Sequence, residues 1–373
     1  MPSLDQLNAQ LDRLASLEPG PFPVVSLYLN MRPGQNGRDT FGPFLRKELA
    51  ERIGTFPSGS PERAGLEADA RRIRDYVDTQ VEPSADGLAI FACAGARLFD
   101  AVQFTAPIPA HRLYISPQPH LYPLARLIDE YPRYAVLLAD THRARIFVVA
   151  INRIERAETI QGVKTKRHRM GGTAQARYQR HVENYHLQHA KEVADALDAI
   201  VRTEAIQSVI VTGDEVIVPL LEEQFSSEVS SRLVEVLKLS INAPEREVLE
   251  ASIEAMKKKD AAGDRERVGE LLDAYRGSGL GCIGVTQVRR AFELGQVDEL
   301  IIAASPDAID PEAIGGTPAA SGSGNGAAAS ARERIADELV AQARKTSAKI
   351  RFIEDAALLG PMGGVGAFLR FRV

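Results

Sequence analysis

Two adjacent glycines, Gly171 and Gly172, lie inside a strongly basic segment of an otherwise acidic chain. Between Lys164 and Lys191 there are seven lysine or arginine residues and one acidic residue, which gives this segment a charge of +6. The whole chain of 373 residues carries −5, so the remaining residues sum to −11. This concentration of positive charge makes the segment the first candidate for a site that binds an anion.

A glycine pair that precedes a helix is well suited to bind phosphate. Glycine has no Cβ atom, so the backbone can adopt positive φ and approach a ligand closely. The pair lies just upstream of a predicted helix N-terminus, where free N–H groups and the helix dipole favour negative charge. Flanking lysines and arginines add charge and forked donors. The candidate contacts to phosphate are Lys164, Lys166, Arg167, Arg169, Arg177, Arg180, His181 and Lys191. A solvated basic loop with an incidental Gly-Gly turn is the equally weighted alternative.

Histidines in the same segment raise the question of a metal site. His186 and His189 are three residues apart on the predicted helix, and His181 precedes them. No carboxylate ligand pair and no HExxH pattern accompanies them, so we expect nucleic-acid contact or core packing, and neither a metal nor a cofactor. His189 falls on the apolar stripe of the helix, which predicts a packed, hydrogen-bonded core residue.

A long helix must position the glycine pair. The spacing of apolar residues predicts this helix from about 174 to 202, with two distinct faces. The apolar face contains Tyr178, Val182, Tyr185, His189, Val193, Leu197 and Ile200. The polar face contains Arg177, Arg180, His181, Asn184, Gln188 and Lys191. A helix of about 28 residues is on the order of 40 Å long, so it can hold its N-terminal loop beyond the body of a domain.

The elements around this helix predict a mixed α/β domain. Residues 133–150 predict a β-hairpin with its turn near Asp140–His142, and residues 153–162 continue the sheet. Residues 206–213 predict a buried strand, with a helix after it. This order of strand, helix and strand is typical of α/β architecture.

The rest of the chain also alternates between helices and strands. Upstream, the pattern predicts helices at 4–17, 43–53 and 62–80 and strands at 23–31 and within 86–104, and the proline-rich run 107–123 is interpreted as a connection. Downstream, it predicts a helix at 246–275, a helix at 285–294 stopped by Gly295, a strand at 298–304, a low-complexity segment at 314–330, a helix at 331–346 and two final strands.

Bulk composition is that of a soluble globular protein with room for two or three domains. The start of the chain has no signal-peptide pattern, and no apolar run approaches the length of a membrane span. Cys93 and Cys282 form no metal pattern, and a reducing cytoplasm fits them better than a disulfide does.

Three stretches resemble the archaeal and eukaryotic type of class I peptide chain release factor. HRMGGTAQARYQRHVENYHLQHAKEVADAL, residues 168–197, resembles the central domain of that family, where a Gly-Gly-Gln loop precedes a long arginine-rich helix. GCIGVTQVRRAFELGQVDELIIAA, residues 281–304, resembles the start of its third domain, and RKTSAKIRFIED with GGVGAFLRF resembles the last strands. The resemblance covers about 130–373, and the N-terminal stretch agrees more loosely.

This resemblance implies an α/β protein of three domains. We expect an α+β N-terminal domain at 1–130, a mixed-sheet central domain at 131–242, and a mixed-sheet C-terminal domain at 243–373 with an insert at 314–330. The family implies that the central loop enters the peptidyl transferase centre and admits water to the ester of peptidyl-tRNA. The implied partners are the ribosome, through rRNA and peptidyl-tRNA, and a translational GTPase as a further candidate, without a membrane.

The sequence departs from the family pattern at two places. Thr173 follows the glycine pair where the family has Gln, and Gln175 comes two residues later. The Asn-Ile-Lys-Ser stop-codon motif is absent, and residues 39–52 hold the comparable region. The first hypothesis is a rescue factor that hydrolyses peptidyl-tRNA with Gly171, Gly172, Thr173 and Gln175. The second is a non-catalytic hibernation or protection factor that occupies the A site, and the third is an RNA-binding module unrelated to ribosomes.

Overall fold

The computed structural model describes residues 2–33, 40–161, 174–311 and 331–372, and of residues 174–181 it describes the backbone only. Within these ranges the chain forms three β-sheets with helices between the strands. The predicted α/β fold class is confirmed.

The chain divides into two compact units. Residues Met1–Tyr131 and Ala261–Val373 form the first unit, and Pro132–Asp260 form the second. The first unit contains two of the sheets, and the second contains the third. The division into three domains stays a prediction.

The N-terminal part of the first unit is an antiparallel sheet with helices against one face. Its elements are α1 (Leu4–Ala15), β1 (Val24–Asn30), α2 (Phe41–Gly54), α3 (Pro61–Thr79), β2 (Gly87–Cys93), β3 (Leu98–Phe104), β4 (Arg112–Ser116) and α4 (Tyr122–Glu130). The strand order is β3-β2-β1-β4. Alternate residues of β1, Val25, Leu27 and Leu29, are buried in one cluster with Leu49 of α2 and Ile73 of α3. The period of two in β1 directs these side chains to one face.

The proline-rich run 107–123 is more than a connection, which corrects the interpretation made from the sequence. Its middle forms β4, which pairs with β1 so that Arg112 lies opposite Tyr28 and Ser116 lies opposite Val24. The prolines of the run fall outside β4, so none of them removes an N–H group from the ladder.

The second unit is a mixed sheet between two long helices. Its elements are β5 (Tyr134–Ala139), β6 (Arg143–Ala150), β7 (Arg153–Gln161), α5 (Ala174–Thr203), β8 (Val209–Gly213), α6 (Ile217–Gln224), α7 (Ser227–Ser231), β9 (Leu233–Leu237) and the start of α8 (Glu245–Arg276). The strand order is β7-β6-β5-β8-β9, with β5, β8 and β9 parallel and β5, β6 and β7 antiparallel. The predicted hairpin, its third strand, the long helix and the buried strand are confirmed.

Both faces of this sheet are buried, which explains the continuous apolar runs of its central strands. On one face Leu137 and Val211 pack with Val193 and Leu197 of α5. On the other face Val136 and Leu138 of β5 pack with residues of α8, which include Val248 and Met256.

The C-terminal part of the first unit contains a second mixed sheet. Its elements are the end of α8, β10 (Gly281–Ile283), α9 (Val285–Glu293), β11 (Val297–Ala303), α10 (Ala331–Lys345), β12 (Lys349–Ile353), α11 (Ala356–Leu359) and β13 (Val365–Leu369). The strand order is β10-β13-β11-β12. Gly295 follows α9 with φ +66°, as a glycine helix stop requires. β12 is an edge strand, and its Phe352 N–H donates to Asp129 Oδ2 of α4 at 2.9 Å.

Cys93 and Cys282 are both buried and free, so they do not form a disulfide. In the described ranges, no helix has the length and apolar composition needed to cross a bilayer. The low-complexity segment 314–330 lies outside the described residues.

Candidate functional site

Most residues of the predicted basic loop lie outside the described part of the chain. They are Lys164, Lys166, Arg167, Arg169, Gly171, Gly172 and Thr173. Gln175, Arg177, Arg180 and His181 lie in α5, where the backbone is described but the side chains are not. Lys191 lies further along α5 and is exposed. The structure therefore describes the elements on both sides of the loop in sequence, which are strand β7 and helix α5.

One edge of the second sheet provides this support. Gln161 ends β7 opposite Arg143 at the start of β6. Ala139 ends β5 opposite Gly213 at the end of β8. Strand β7, the last described element before residue 162, therefore ends at the edge where the carboxyl ends of the parallel strands β5 and β8 also lie. Ligands of open α/β sheets commonly bind at such an edge.

The β5–β6 turn at this edge is fixed by Asp140. Its carboxylate accepts hydrogen bonds from the backbone N–H groups of His142 at 2.7 Å and Arg143 at 2.6 Å. Its own N–H donates to the carbonyl of Arg143 at 2.9 Å. These bonds form an Asx-type turn and leave the His142 side chain exposed at the sheet edge.

The β8–α6 connection at the same edge is fixed by Asp214. Its carboxylate accepts from the N–H groups of Val216 at 3.0 Å and Ile217 at 2.9 Å, which satisfies free donors at the start of α6. Gly213 is tightly enclosed, because a Cβ atom there would lie 2.9 Å from the carbonyl oxygen of Ala139. The β5–β6 turn (140–143) and the β8–α6 connection (213–217) lie beside α5, and together they are called the rim.

Helix α5 has the two faces that its sequence predicts. On the apolar face His189, Val193 and Leu197 are buried, whereas Gln188 and Lys191 on the opposite face are exposed. All described side chains from Val182 to Gln188 are at least partly exposed, so burial begins at His189. The helix has 30 residues, and the part of it that precedes His189 is about 22 Å long.

His189 differs from its prediction in one respect. It is 2 % exposed, as predicted for a core residue, but neither ring nitrogen has a hydrogen-bond partner among the described residues. The prediction of a hydrogen-bonded His189 is wrong.

A pair of imidazoles links α5 to the rim. The rings of His142 and His186 lie 6.2 Å apart in an edge-to-face arrangement. Partial burial lowers the pKa of His186, and the nearby His142 acts in the same direction while Asp214 opposes it. His186 is therefore mainly neutral at pH 7. No cluster of three or more potential ligands in the described ranges has a geometry that could hold a metal ion.

The sequence did not assign His142 and Asp214 to the site. Their positions in the fold could have indicated them, because both residues follow strands whose carboxyl ends lie at one edge of the sheet. That signal required the parallel pairing of β5 with β8, which no local pattern predicts.

Two family models match consecutive parts of the chain. The model described as bacterial archaeo-eukaryotic release factor family 10 matches residues 119–257. The model of eRF1 domain 3 matches residues 261–373. The first match contains the second unit up to residue 257, together with the basic loop.

Curated relatives are similar over nearly the full chain. Peptide chain release factor subunit 1 of Archaeoglobus fulgidus is 22% identical over 387 residues, which cover 94% of this chain and 93% of that protein. The same factor of Aeropyrum pernix is 21% identical over 373 residues, which cover 94% of this chain and 91% of that protein.

Solved structures of archaeal factors also align along the chain. The archaeal translation termination factor aRF1 is 18% identical, with 99% of each chain covered and a TM-score of 0.27. Archaeal Pelota, from a model of ribosome-bound Pelota and ABCE1, is 16% identical, with 100% of this chain and 95% of that chain covered and a TM-score of 0.42. At TM-scores this low, neither structure defines the fold of this chain.

Proposed function

Because this chain belongs to the superfamily of archaeal and eukaryotic type peptide chain release factors, we propose that it binds the ribosome and hydrolyses the ester of peptidyl-tRNA through its Gly-Gly loop. The observation that carries this proposal is the pair of consecutive family matches, which together extend from residue 119 to residue 373. The stop-codon motif is absent from the N-terminal part, so the proposed substrate is peptidyl-tRNA on a stalled ribosome.

Helix α5, which follows the loop in sequence, supports this function. Helix α5 has buried side chains from His189 onward, and its backbone continues as helix back to Ala174, next to the glycine pair in sequence. A loop that must reach a distant catalytic centre in rRNA needs a stiff support of this kind. The basic residues on both sides of Gly171 and Gly172 supply the charge that such a path through phosphates requires.

The start of α5 supports a role for Gln175 in the chemistry. The helix begins at Ala174, so the backbone N–H of Gln175 is among the first four N–H groups, which have no acceptor within the helix. In the proposed reaction water attacks the ester carbonyl carbon, the bond to the tRNA 3′ oxygen breaks, and that oxygen takes up a proton. The N–H of Gln175 would stabilise the negative charge on the 3′ oxygen, and its side chain would position the water.

A second candidate function follows from Thr173. This residue occupies the position where the family has Gln, and a loop without the family's glutamine could bind the centre without hydrolysing the ester. The protein would then protect idle ribosomes by occupying the A site. In both cases the partners are rRNA and tRNA phosphates in the cytoplasm, and a translational GTPase is a candidate further partner.

A peptide-release assay tests the proposal and separates the two functions. Ribosomes that carry labelled peptidyl-tRNA are incubated with the wild-type protein, with Gln175→Ala and with Gln188→Ala. Gln188 is the matched control, since it is an exposed glutamine on the same helix. Release by the wild type and by Gln188→Ala, with loss in Gln175→Ala, supports hydrolysis. Stable binding without release supports occupation of the A site. If the protein stays in the unbound fraction at low salt, both functions are wrong.

A further inference from the structure

The first unit contains a cavity of about 220 Å³ that no part of the proposed ribosomal function uses. Its walls come from β1, the end of β3, the β3–β4 connection, β4, α4, the residues that follow β11 and the start of α10, which contributes Glu333. Phe104, Ile108, Pro109 and Pro306 are among its lining residues and give it a largely apolar surface. An apolar cavity of about 150 Å³ already accommodates benzene, so this one has room for a single ring with substituents.

His120 presents an unpaired nitrogen to this cavity. The residue is only 2 % exposed and lines the cavity, and its Nδ1 contacts the Asp337 carboxylate. Its Nε2 has no hydrogen bond with any described residue. This atom is also not one of the fully buried side-chain atoms that lack a partner, so it keeps some accessible surface. A buried polar atom that is open to a cavity and unpaired is available to a ligand.

Asp337 holds the imidazole in one orientation. One carboxylate oxygen accepts from the backbone N–H groups of Leu121 and Tyr122 at 2.9 Å each, and the other faces His120 Nδ1. The ring of Tyr114 stacks against the imidazole, with centroids 3.6 Å apart. Because Nδ1 must carry the hydrogen that faces a carboxylate, Nε2 is an acceptor.

Arg112 adds a cation to the same cavity. It lines the cavity and is exposed, and its guanidinium has no hydrogen bond or ion pair with any described residue. Its charge reaches the ring of His120, whose protonation it opposes. A free guanidinium offers forked donors to a carboxylate or phosphate.

We infer that this cavity binds a small molecule that combines an aromatic or heteroaromatic ring, an N–H or O–H donor and a carboxylate or phosphate. The ring occupies the apolar walls, the donor bonds to Nε2 of His120, and the anionic group pairs with Arg112. The cavity is lined from both ends of the chain, by residues such as Tyr28 and Ser305, so the ligand also bridges the N-terminal and C-terminal parts of the first unit.

Isothermal titration calorimetry on the full-length protein tests this inference with two probes. 4-Hydroxybenzoate carries a carboxylate, and uridine 5′-monophosphate carries a phosphate, so the two probes distinguish the anion. We expect at least one to bind with a Kd between about 10 μM and 1 mM, as is usual for ligands of this size. Arg112→Gln should weaken that binding at least about fivefold, and Arg71→Gln, at an exposed arginine of α3, should not change it.

A second variant tests the cavity by filling it, without any change to His120 or Arg112. Ala110 is exposed and lines the cavity, so Ala110→Phe should fill part of the cavity without disturbing the core, and it should abolish binding. If neither probe binds the wild type at about 5 mM, or if Ala110→Phe and Arg112→Gln bind as the wild type does, the cavity is not a site for this class of ligand.

Discussion

The carboxylate of Asp337 contacts Nδ1 of His120, although the two residues come from opposite ends of the chain. The same carboxylate accepts from the first N–H groups of α4, so a side chain of α10 caps a helix in the N-terminal part of the first unit. Arg344, also on α10, donates to Asp12 of α1 at 2.8 Å. Helix α10 is therefore bonded to two helices that the sequence places far away from it.

Replacement of Asp337 by alanine should destabilise the first unit by about 1–3 kcal/mol, because two helix N–H groups and a buried imidazole lose their acceptor. Urea unfolding, followed by circular dichroism, measures this change. Glu338→Ala is the control, since Glu338 pairs on the surface with Arg289 and exposed pairs contribute about 0–1 kcal/mol. Equal losses in the two variants would contradict the capping role of Asp337.

His120 should make the first unit less stable in acid. Burial and, to a smaller extent, the charge of Arg112 lower the pKa of His120 to about 3. The unfolded chain, with a pKa near 6.5, then binds more protons between about pH 3 and 6.5, so stability falls as the pH drops through this window. From pH 7 to pH 5 the loss due to His120 should be about 2 kcal/mol.

The comparison of wild type with His120→Gln at pH 7 and pH 5 isolates this effect, since the acidic residues titrate in both proteins. His142→Gln, at an exposed histidine, should behave as the wild type does. A wild type that gains stability in acid relative to His120→Gln would mean that Asp337, and not burial, sets the pKa.

Replacement of His189 by leucine should stabilise the second unit by about 1 kcal/mol, because both ring nitrogens are buried without a partner and their desolvation is not compensated. Hydrogen exchange in the peptides that cover α5 measures the change. His142→Leu is the exposed control and should have little effect. A loss of stability in His189→Leu would show that the imidazole finds a partner in solution.

Gly213 and Gly269 should respond in opposite ways to alanine. A Cβ atom at Gly213 would lie 2.9 Å from the Ala139 carbonyl oxygen and 2.9 Å from a methyl group of Ile217, so the variant should lose about 1–3 kcal/mol. Nothing lies within 4 Å of a Cβ atom at Gly269, inside α8, and alanine there should gain about 0.5–1 kcal/mol. Because the two units need not unfold together, peptide-resolved hydrogen exchange is the suitable measurement.

Salt should weaken ribosome binding in proportion to the number of phosphate contacts. Each contact contributes about 0.7–0.9 to the slope of log K against log salt concentration, so Arg177→Gln and Arg180→Gln should each reduce the slope by about that amount. Co-sedimentation with ribosomes at several salt concentrations measures the slope. Lys258→Ala, at an exposed lysine of α8, which packs on the face of the sheet opposite to α5, should leave it unchanged. Unaltered slopes in both arginine variants would remove them from the interface.

Local periodicity predicted the parts of the fold that local chemistry determines. The stripe through Val193 and Leu197 marked the buried face of α5, and Gly295 marked the end of α9. Each of these signals lies within one turn of the chain, where helical spacing and glycine conformation act directly. The hairpin of β5 and β6 is similarly local, since its turn is fixed by Asp140.

Contacts between distant segments were not predictable in this way. β4 is only five residues long and lies between prolines, so its pairing with β1 depends on partners far along the chain. The contact of Asp337 with His120 likewise joins residues that are far apart in the sequence, so no local pattern predicts it. The basic loop remains a prediction in detail, because Gly171, Gly172 and Thr173 lie outside the described residues.

The bond from Phe352 to Asp129 has a consequence for self-association. An edge strand normally offers its outward N–H groups to any extended peptide that approaches, and the fifth strand so recruited can come from another molecule. On β12 the carboxylate of Asp129 on α4 already accepts from one of these donors, and Phe352 itself is buried. Removal of that carboxylate would leave one N–H group of the edge strand without its acceptor, so we expect such a variant to pair more readily with an extended strand of another molecule.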